Sequence, residues 1–472
     1  MTQRELAGAV EAAATEFGIP GVAAGVWADG REIRASHGIT SVDNPRPVDE
    51  TTLFHLASVT KTFTATALVR LAAEGKVELA APVLHYVPEL RLSDERAAAK
   101  ITVWHLLNHT SGLDWNVVEA GDEADSLAGF VARMAGLPMI GEPGERASYS
   151  QAAYNLAGLV VEKVTGLPFE KAVASLVLEP VGLTNTFFDL DDVVVRSFAV
   201  GHNRGDDGEL RFARPWKAWR AGARGNDPGG GIVSSVGDLL RWARFHLGTG
   251  DGVLPADALH RMREQTVALR ASSLGDGVGI CWFLRDVGGV RTIGHGGSGN
   301  GQFAELLIVP ERDFAVVSLS NAGPDGHPCN RAVVRWALEH YLGVVDRDPQ
   351  PVPHDDTRAR EVAGRYENDA MYLDIATDGS RLTLGVGIRP EIRHASDVEM
   401  APDYPPAAVG FLPGDGDEYI VTEGGLQGSA ATSPATAAAR SWARTSGAGF
   451  SAASPPHADQ VGPTARAARP PT

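Results

Sequence analysis

The segment Phe54–Phe63 constrains the fold most, because it places Ser58 at the start of a strongly helical run and Lys61 three residues later. The run continues through small and apolar residues to Gly75, which predicts a buried helix with glycine as its C-terminal stop. Residues three apart share one face of a helix, so the Lys61 amine is expected beside the Ser58 hydroxyl.

This pairing predicts a nucleophile and its proton acceptor. A free serine hydroxyl is a poor nucleophile at neutral pH, and a partly desolvated amine with a lowered pKa could take its proton. The helix N-terminus also offers a backbone N–H to a developing oxyanion. A Ser-x-x-Lys pattern arises by chance about once in a chain of this length, so a Ser58 N-cap beside a solvated Lys61 is the structural alternative.

Composition narrows the classes of function. The chain has 472 residues and a formal net charge of −17, without a basic stripe, which argues against a nucleic acid partner. No apolar run reaches the length of a membrane span, and the N-terminus lacks the pattern of a signal peptide, so we expect a cytoplasmic protein without a membrane partner. Cys281 and Cys329 cannot form a disulfide framework and are expected to be buried thiols, with Cys281 as a nucleophile as the alternative.

The order of the predicted elements indicates an α+β fold. An amphipathic helix over about residues 2–17 precedes a hairpin formed by Val22–Trp27 and Arg31–Ser36, and nothing requires parallel βαβ units. Further along, Phe303–Val309 and Phe314–Ser320 read as consecutive strands. We therefore expect an antiparallel sheet with helices packed on it.

The segment Gly294–Gly299 matches the G-x-G-x-x-G pattern of dinucleotide sites. That fingerprint has to open a helix, whereas a strand is predicted to follow here, so the match indicates no cofactor. Glycines on a strand instead allow a ligand to approach the backbone closely. His295, between the first two glycines, adds a side chain that can form hydrogen bonds or accept and donate a proton.

Other residues with useful chemistry lie on a loop and on a short helix. Tyr149 directly precedes a predicted helix, where its phenol could enter a cleft and hold a proton in transit; a packed aromatic is the alternative. His105 and His109 are one turn apart on a short helix capped by Thr102. Without a neighbouring glutamate or a third ligand, packing and hydrogen bonding explain them better than zinc. No metal or cofactor is expected.

The chain is expected to divide after a first domain at residues 1–345. Three prolines mark a linker at 346–355, and short strands between Asp/Gly/Pro turns then predict a small β-domain at 356–424. The last strands of a barrel are not evident in that domain. From Gly425 the composition collapses to Ala, Ser, Thr, Gly, Pro and Arg, so residues 425–472 are expected to be a disordered tail.

Taken in order, Ser58, Lys61, Tyr149 and His295-Gly296-Gly297 resemble the serine β-lactamase and penicillin-binding-protein superfamily, in its class C-like branch of esterases and peptidases. The resemblance covers about residues 5–345. It implies a β-lactamase/transpeptidase-like fold, in which an antiparallel sheet is flanked by helices and joined to a helical subdomain. The small C-terminal β-domain would then be lipocalin-like.

The resemblance also implies roles for the matching residues. Ser58 would be the acylated nucleophile and Lys61 its proton acceptor, and Tyr149 would relay a proton to and from the leaving group. The oxyanion would be bound by the backbone N–H groups of Ser58 and of a residue near Ser298. His295 stands where many relatives have the lysine of Lys-Thr-Gly, and it is counted with the catalytic residues.

Two departures from the family pattern bear on the substrate. Gln151 replaces the asparagine of Tyr-x-Asn, which puts that residue's contact with a substrate amide in doubt. His295 is mostly neutral at pH 7 and is a poor fixed cation for the carboxylate of a β-lactam, so ester, amide or thioester chemistry is expected instead. The candidate substrate-binding residues are Gln151, Gly296, Gly297 and Ser298.

Three hypotheses of function follow. The first is a serine hydrolase that cleaves an ester, amide or small peptide bond through acyl-Ser58. The second is a penicillin-binding-protein-type thioesterase, which releases and macrocyclises a nonribosomal peptide from a peptidyl thioester delivered by a carrier protein. The two differ only in whether water or a tethered amine attacks the acyl group. The third is a non-catalytic binding protein that retains the fold.

Overall fold

The computed structural model describes most of the chain, with gaps. The described residues are 2–113, 127–137, 139–205, 207–214, 224–248, 250, 252–367, 371–395, 402–414, 418–432 and 451–452. Most of the expected disordered tail, residues 433–450 and 453–472, lies outside them.

The strands of the described residues, in chain order, are β1 (Gly21–Ala28), β2 (Arg31–Gly38), β3 (Phe54–His55), β4 (Thr186–Phe187), β5 (His202–Arg204), β6 (Leu210–Phe212), β7 (Val233–Ser234), β8 (Val267–Ser272), β9 (Gly275–Val278), β10 (Phe283–Val287), β11 (Val290–Gly299), β12 (Gln302–Val309), β13 (Phe314–Ser320), β14 (Ala322–Gly323), β15 (Gly364–Glu367), β16 (Met371–Thr377), β17 (Leu382–Ile388), β18 (Tyr404–Phe411), β19 (Glu418–Val421), β20 (Ala430–Thr432) and β21 (Ser451–Ala452).

The α-helices of the same residues are α1 (Gln3–Phe17), α2 (Thr60–Ala73), α3 (Glu95–Lys100), α4 (Val103–Leu107), α5 (Leu127–Arg133), α6 (Gln151–Thr165), α7 (Phe169–Val173), α8 (Glu179–Val181), α9 (Leu190–Val194), α10 (Asp227–Gly230), α11 (Val236–Leu247), α12 (Ala256–Met262), α13 (Gly326–Leu342), α14 (Asp356–Val362) and α15 (Pro390–Ala395).

The central feature is a sheet with the strand order β2-β1-β13-β12-β11-β10-β9-β8. Every neighbouring pair in it is antiparallel. The predicted β1–β2 hairpin and the predicted strands β12 and β13 are confirmed. The strand predicted to follow the glycines of β11 is present, so the helix that the dinucleotide fingerprint requires is not formed there. The expected α+β class is also confirmed.

Helices cover both faces of this sheet. One face packs against α1 and α13, which is why α1 is amphipathic and buries Leu6, Val10, Ala13 and Ala14. This helix begins with a capping box between Thr2 and Glu5 and ends at Gly18, whose φ of 62° suits glycine. The opposite face packs against the large core that includes α2, α6 and α11.

The helix α2 is buried almost all round, as its sequence predicts. Its threonines are accommodated there because their hydroxyls find acceptors. Thr62 donates to the Val59 carbonyl at 2.8 Å and Thr66 to the Thr62 carbonyl at 2.8 Å. Thr64 donates to the carbonyl of Pro228 at 2.7 Å, which fastens α10 to this helix.

A second antiparallel sheet follows, with the order β20-β19-β18-β17-β16-β15-β21 and its own apolar core. The short strands expected between residues 356 and 424 lie in this sheet. The expectation of disorder from Gly425 is wrong at its start, because β20 pairs with β19 and the Ala430 carbonyl accepts from the Ser273 N–H at 2.9 Å. The composition suggested disorder because small residues bury little apolar surface; here backbone hydrogen bonds order the strand.

The segment between the two sheets is tied to the first one. Asp346, whose side chain is 6% exposed, pairs with Arg285 of β10 at 2.8 Å and with Arg335 of α13 at 3.2 Å. The proline-rich linker is thus held at its start by two ion pairs of the buried Asp346 carboxylate with partly exposed arginines. No helix among the described residues is long and apolar enough to cross a membrane.

Candidate active site

Ser58 lies in a tight turn between β3 and α2. The turn is a 3-10 helix, Ala57–Val59, and it begins with Ala57 at a φ of 45°, an uncommon value for a residue with a side chain. Such conformations persist where the surrounding structure imposes them, often at functional sites. Neither this turn nor α2 carries a side-chain cap bond, so the alternative of Ser58 as an N-cap is not supported.

The amine of Lys61 lies directly behind Ser58. Lys61 is fully buried, and its Nζ is 3.2 Å from the Ser58 Oγ. The same Nζ donates to the Gln151 Oε1 and to the Gly229 carbonyl, both at 2.7 Å. Burial lowers the pKa of Lys61 to about 7. A neutral amine has two protons for the two carbonyl oxygens, which leaves its lone pair for the Ser58 hydroxyl.

Tyr149 lies beside Ser58 and Lys61, two residues before α6. The Lys61 Nζ lies 4.9 Å from the centre of its ring. Burial raises the pKa of Tyr149 well above its usual value, although a side-chain hydrogen bond with Ser58 acts in the opposite direction. The resting phenol is therefore neutral, and it can pass a proton on only when it receives another.

His295 on β11 completes the cluster. Its ring centre lies 6.2 Å from that of Tyr149, and its Nδ1 is 2.7 Å from the Gly296 carbonyl. Burial, helped by the charge of Lys61, lowers the pKa of His295 to about 3. Because a carbonyl oxygen only accepts, the proton of this neutral ring is assigned to Nδ1. The buried Nε2 is then an acceptor, and it has no partner among the described residues.

The glycines of β11 let this strand pass close to the nucleophile. A Cβ on Gly297 would lie 2.1 Å from the Leu56 carbonyl oxygen and 3.4 Å from the Ser58 backbone nitrogen. Only glycine fits there without a shift of the backbone. Ser298 is exposed, and a Cβ on Gly296 would meet the Glu305 carboxyl at 3.1 Å.

Gln151 is part of the site in a different way from the expected substrate contact. Its Oε1 accepts from Lys61, and its Nε2 donates to the Asn155 Oδ1 at 3.1 Å and to the Asn226 carbonyl at 3.4 Å. The side chain is one methylene longer than asparagine and buried, and its amide is fully used inside the protein. The amide therefore helps to place Lys61, and its assignment to substrate binding stays a prediction.

The short helix α10 supplies a contact that sequence reasoning missed. Besides the Gly229 carbonyl on Lys61, the Gly230 carbonyl accepts from His55 at 2.7 Å. A Cβ on Gly229 would lie 1.8 Å from the Gln151 amide nitrogen. The run of three glycines after Pro228 was the available signal, because such runs mark close backbone approach.

The remaining candidates from the sequence play other parts. Cys281 is buried, and burial raises the pKa of its thiol to about 12, so it is protonated and a poor nucleophile. The Nδ1 of His105 accepts from the Thr102 N–H at 3.3 Å, as a capping contact. In the described part of the chain, no group of three or more His, Cys, Asp or Glu side chains could hold a metal ion.

The fold is that of the β-lactamase family, and the chain belongs to it: the family model described as Beta-lactamase matches residues 6–338. The resemblance noted in the sequence is confirmed. Its relatives include a penicillin-binding protein and an esterase, so it belongs to a family of serine hydrolases.

Individual relatives are similar over much of their length. Penicillin-binding protein 4 of Amycolatopsis lactamdurans is 30% identical over 323 residues, which are 66% of this chain and 84% of the relative. Esterase EstB of Burkholderia gladioli is 32% identical over 302 residues, 56% of this chain and 75% of the relative.

Among solved structures, SurE superposes with a TM-score of 0.68 and 24% identity, over 89% of this chain and 90% of that one. The structure of SurE with D-Leu gives a TM-score of 0.66 and 25% identity, over 89% of this chain and 91% of the SurE chain.

Proposed function

We propose that this protein is a serine hydrolase that cleaves an ester, amide or small peptide bond through an acyl-enzyme on Ser58. The observation that carries the proposal is the state of Lys61. Its amine is buried, has a pKa of about 7, and lies 3.2 Å from the Ser58 hydroxyl while two carbonyl oxygens accept its protons. This arrangement orients a general base toward a nucleophile.

In acylation, the Ser58 hydroxyl gives its proton to Lys61 as its Oγ attacks the carbonyl carbon of the substrate. The carbonyl oxygen becomes an oxyanion, which the backbone N–H of Ser58 and an N–H of β11 near Ser298 would bind. Tyr149 donates its proton to the leaving group as the bond to the carbonyl carbon breaks, and it recovers a proton from Lys61. The products of this step are the acyl-Ser58 ester and the protonated leaving group.

Deacylation runs through the same groups in reverse. Water attacks the acyl carbon, and its proton passes to Tyr149 and Lys61. The Ser58 oxygen then leaves as the restored hydroxyl, with the acid product released. Microscopic reversibility requires no further residue.

His295 argues for esters and related bonds over β-lactams. With a pKa of about 3 its ring is neutral at physiological pH, so it offers an acceptor nitrogen and no positive charge for a substrate carboxylate. A carboxylate placed beside it would lose its solvation without gaining an ion pair.

A fluorophosphonate probe tests the proposal directly. We expect one adduct per chain, mapped to Ser58 after digestion, and hydrolysis of p-nitrophenyl acyl esters that the probe abolishes. A folded protein that takes no adduct and hydrolyses no ester would contradict the proposal and would favour the non-catalytic binding protein.

A second candidate keeps the acyl-enzyme but changes the acceptor to a tethered amine, which would make the protein a peptidyl thioesterase and cyclase. The superposition on SurE supports it, because it covers 89% of this chain, whereas the family match ends at residue 338. The likeness to SurE therefore reaches into the C-terminal sheet. One SurE structure is a complex with D-Leu, which suggests the probe, a peptidyl N-acetylcysteamine thioester that ends in D-Leu. A cyclic product would favour this candidate, and linear acid alone would favour the hydrolase.

A further inference from the structure

The loop that carries Tyr149 is held by one residue that the proposed reaction does not use. The Ser148 N–H donates to the backbone carbonyl of His109 at 2.7 Å, and the Ser150 N–H donates to the His109 Nδ1 at 3.2 Å. The ring of His109 lies against that of Tyr149, with 4.5 Å between their centres. Main chain, imidazole nitrogen and ring of His109 thus contact the tyrosine segment on both sides of residue 149.

His109 is itself rigidly placed. It is 2% exposed, and it has a φ of 60° just beyond the end of α4. The segment that precedes Tyr149 makes further backbone hydrogen bonds to the residues after His109. The Gly144 N–H donates to the Thr110 carbonyl at 2.7 Å, and the Ile140 N–H donates to the Gly112 carbonyl at 2.9 Å. Successive hydrogen bonds therefore hold the segment before Tyr149 against the segment that begins at His109.

The chemistry of this contact requires a neutral imidazole. The Ser150 N–H needs a lone pair on Nδ1, so the ring proton is assigned to Nε2. An imidazolium would set one N–H against another. Burial, and after it the charge of Lys61, hold the pKa of His109 well below its ordinary value, so the acceptor persists across the pH range in which Lys61 titrates.

We propose that His109 is a positioning residue for Tyr149, which fixes the phenol against Ser58 through the Nδ1 acceptor and the ring contact. The proposal rests on the proposed function, in which Tyr149 moves a proton to and from the leaving group. A displacement of about 1 Å in such a group can cost about 100-fold in rate.

Two substitutions separate the parts of the contact. His109→Phe keeps a ring against Tyr149 and removes the acceptor. His109→Asn keeps an acceptor at the δ position and tolerates the positive φ. We expect kcat on an alkyl ester to fall about 10- to 100-fold in H109F, with KM changed less than about threefold, and to stay within about fivefold of the native value in H109N.

A double-mutant cycle with Tyr149→Phe distinguishes positioning of the phenol from a purely structural role of His109. In the Y149F background, H109F should cost less than about twofold, because there is no phenolic proton left to position. Native kcat in H109F, failure of H109N to recover activity, or losses that multiply in the double variant would each overturn the proposal. If H109F does not fold, H109G takes its place, since glycine adopts this φ freely.

The fluorophosphonate adduct and the rate of ester hydrolysis together distinguish failure of the proposed function from failure of the positioning role. A native protein that forms no fluorophosphonate adduct on Ser58 contradicts the proposed function. A native protein that forms the adduct and turns over ester, while H109F does so at the native rate, contradicts the positioning role alone.

Discussion

The Lys61 amine and the Ser58 hydroxyl are 3.2 Å apart, and the amine is fully buried while the serine is only partly so. Buried amines lose their charge more readily, because the charged form is desolvated. The position of Lys61 one helical turn beyond Ser58 therefore fixes both the distance and the protonation state on which the proposed chemistry depends.

Replacement of the nucleophile should abolish covalent chemistry. In S58A we expect no fluorophosphonate adduct and no ester hydrolysis, because no other described hydroxyl contacts the Lys61 Nζ. Intact mass and peptide mapping measure the adduct. Ser380→Ala, at an exposed serine in the turn between β16 and β17, is the matched control and should be labelled like the native protein.

Lys61 variants should separate basicity from charge. K61A removes the base, and K61R keeps a charged donor that does not deprotonate at working pH, so kcat should fall about 10²- to 10⁴-fold in both. Steady-state rates on a nitrophenyl ester measure the loss. Near-native turnover in K61R would show that Lys61 acts only as a fixed charge and would contradict its role as proton acceptor.

The pH profile should report the same group. Because the pKa of Lys61 is about 7, the free base is lost as pH falls below that value, so kcat/KM should rise with pH and level off above about 8. A histidine with an ordinary pKa would give a similar limb. The pKa of His295 is about 3, so H295A should keep the limb near 7 while its preference among acyl groups changes. Disappearance of the limb in H295A would assign it to the histidine.

Tyr149 should matter most where the leaving group needs a proton. In Y149F, kcat on an alkyl ester should fall about 10²- to 10⁴-fold, as for other acid–base groups. The loss on a p-nitrophenyl ester should be smaller, because nitrophenolate leaves without a proton. Comparison of the two substrates tests the relay, and an equal loss on both would contradict it.

The close approach of β11 predicts a steric effect. In G297A the new Cβ would be 2.1 Å from the Leu56 carbonyl oxygen, so β11 or the Ser58 turn has to shift, and activity should fall at least about tenfold. G296A should lose less, because its Cβ would meet the flexible end of Glu305 at 3.1 Å. Thermal unfolding of both variants separates misplacement from loss of fold.

The sequence predicts the site best where chemistry and local spacing coincide. Ser58 and Lys61 are three residues apart, so helix geometry alone brings them together. Tyr149 and His295 were identified because they follow Ser58 and Lys61 in the same order as the motifs of the family. The structure places both in the same cluster. The Gly229 carbonyl could not be found in this way, because it is a backbone atom 168 residues from Lys61 and carries no side-chain signal.

Two other features show the limits of reading the sequence. The extra methylene of Gln151 lets its amide reach Asn226, a partner that sequence order does not reveal. Ala430–Thr432 was expected to be disordered, yet it forms a strand, because pairing with β19 does not depend on apolar side chains.

The placement of β20 has a practical consequence for anyone who shortens this chain. The strand β8 ends the first sheet, and its neighbour Ser273 donates a backbone proton to Ala430 of β20. A protein cut after residue 345 would present β8 as an uncovered edge, a template for pairing with other molecules. Self-association of such a truncated protein would then result from the exposed edge of β8. It would say nothing about the native oligomeric state.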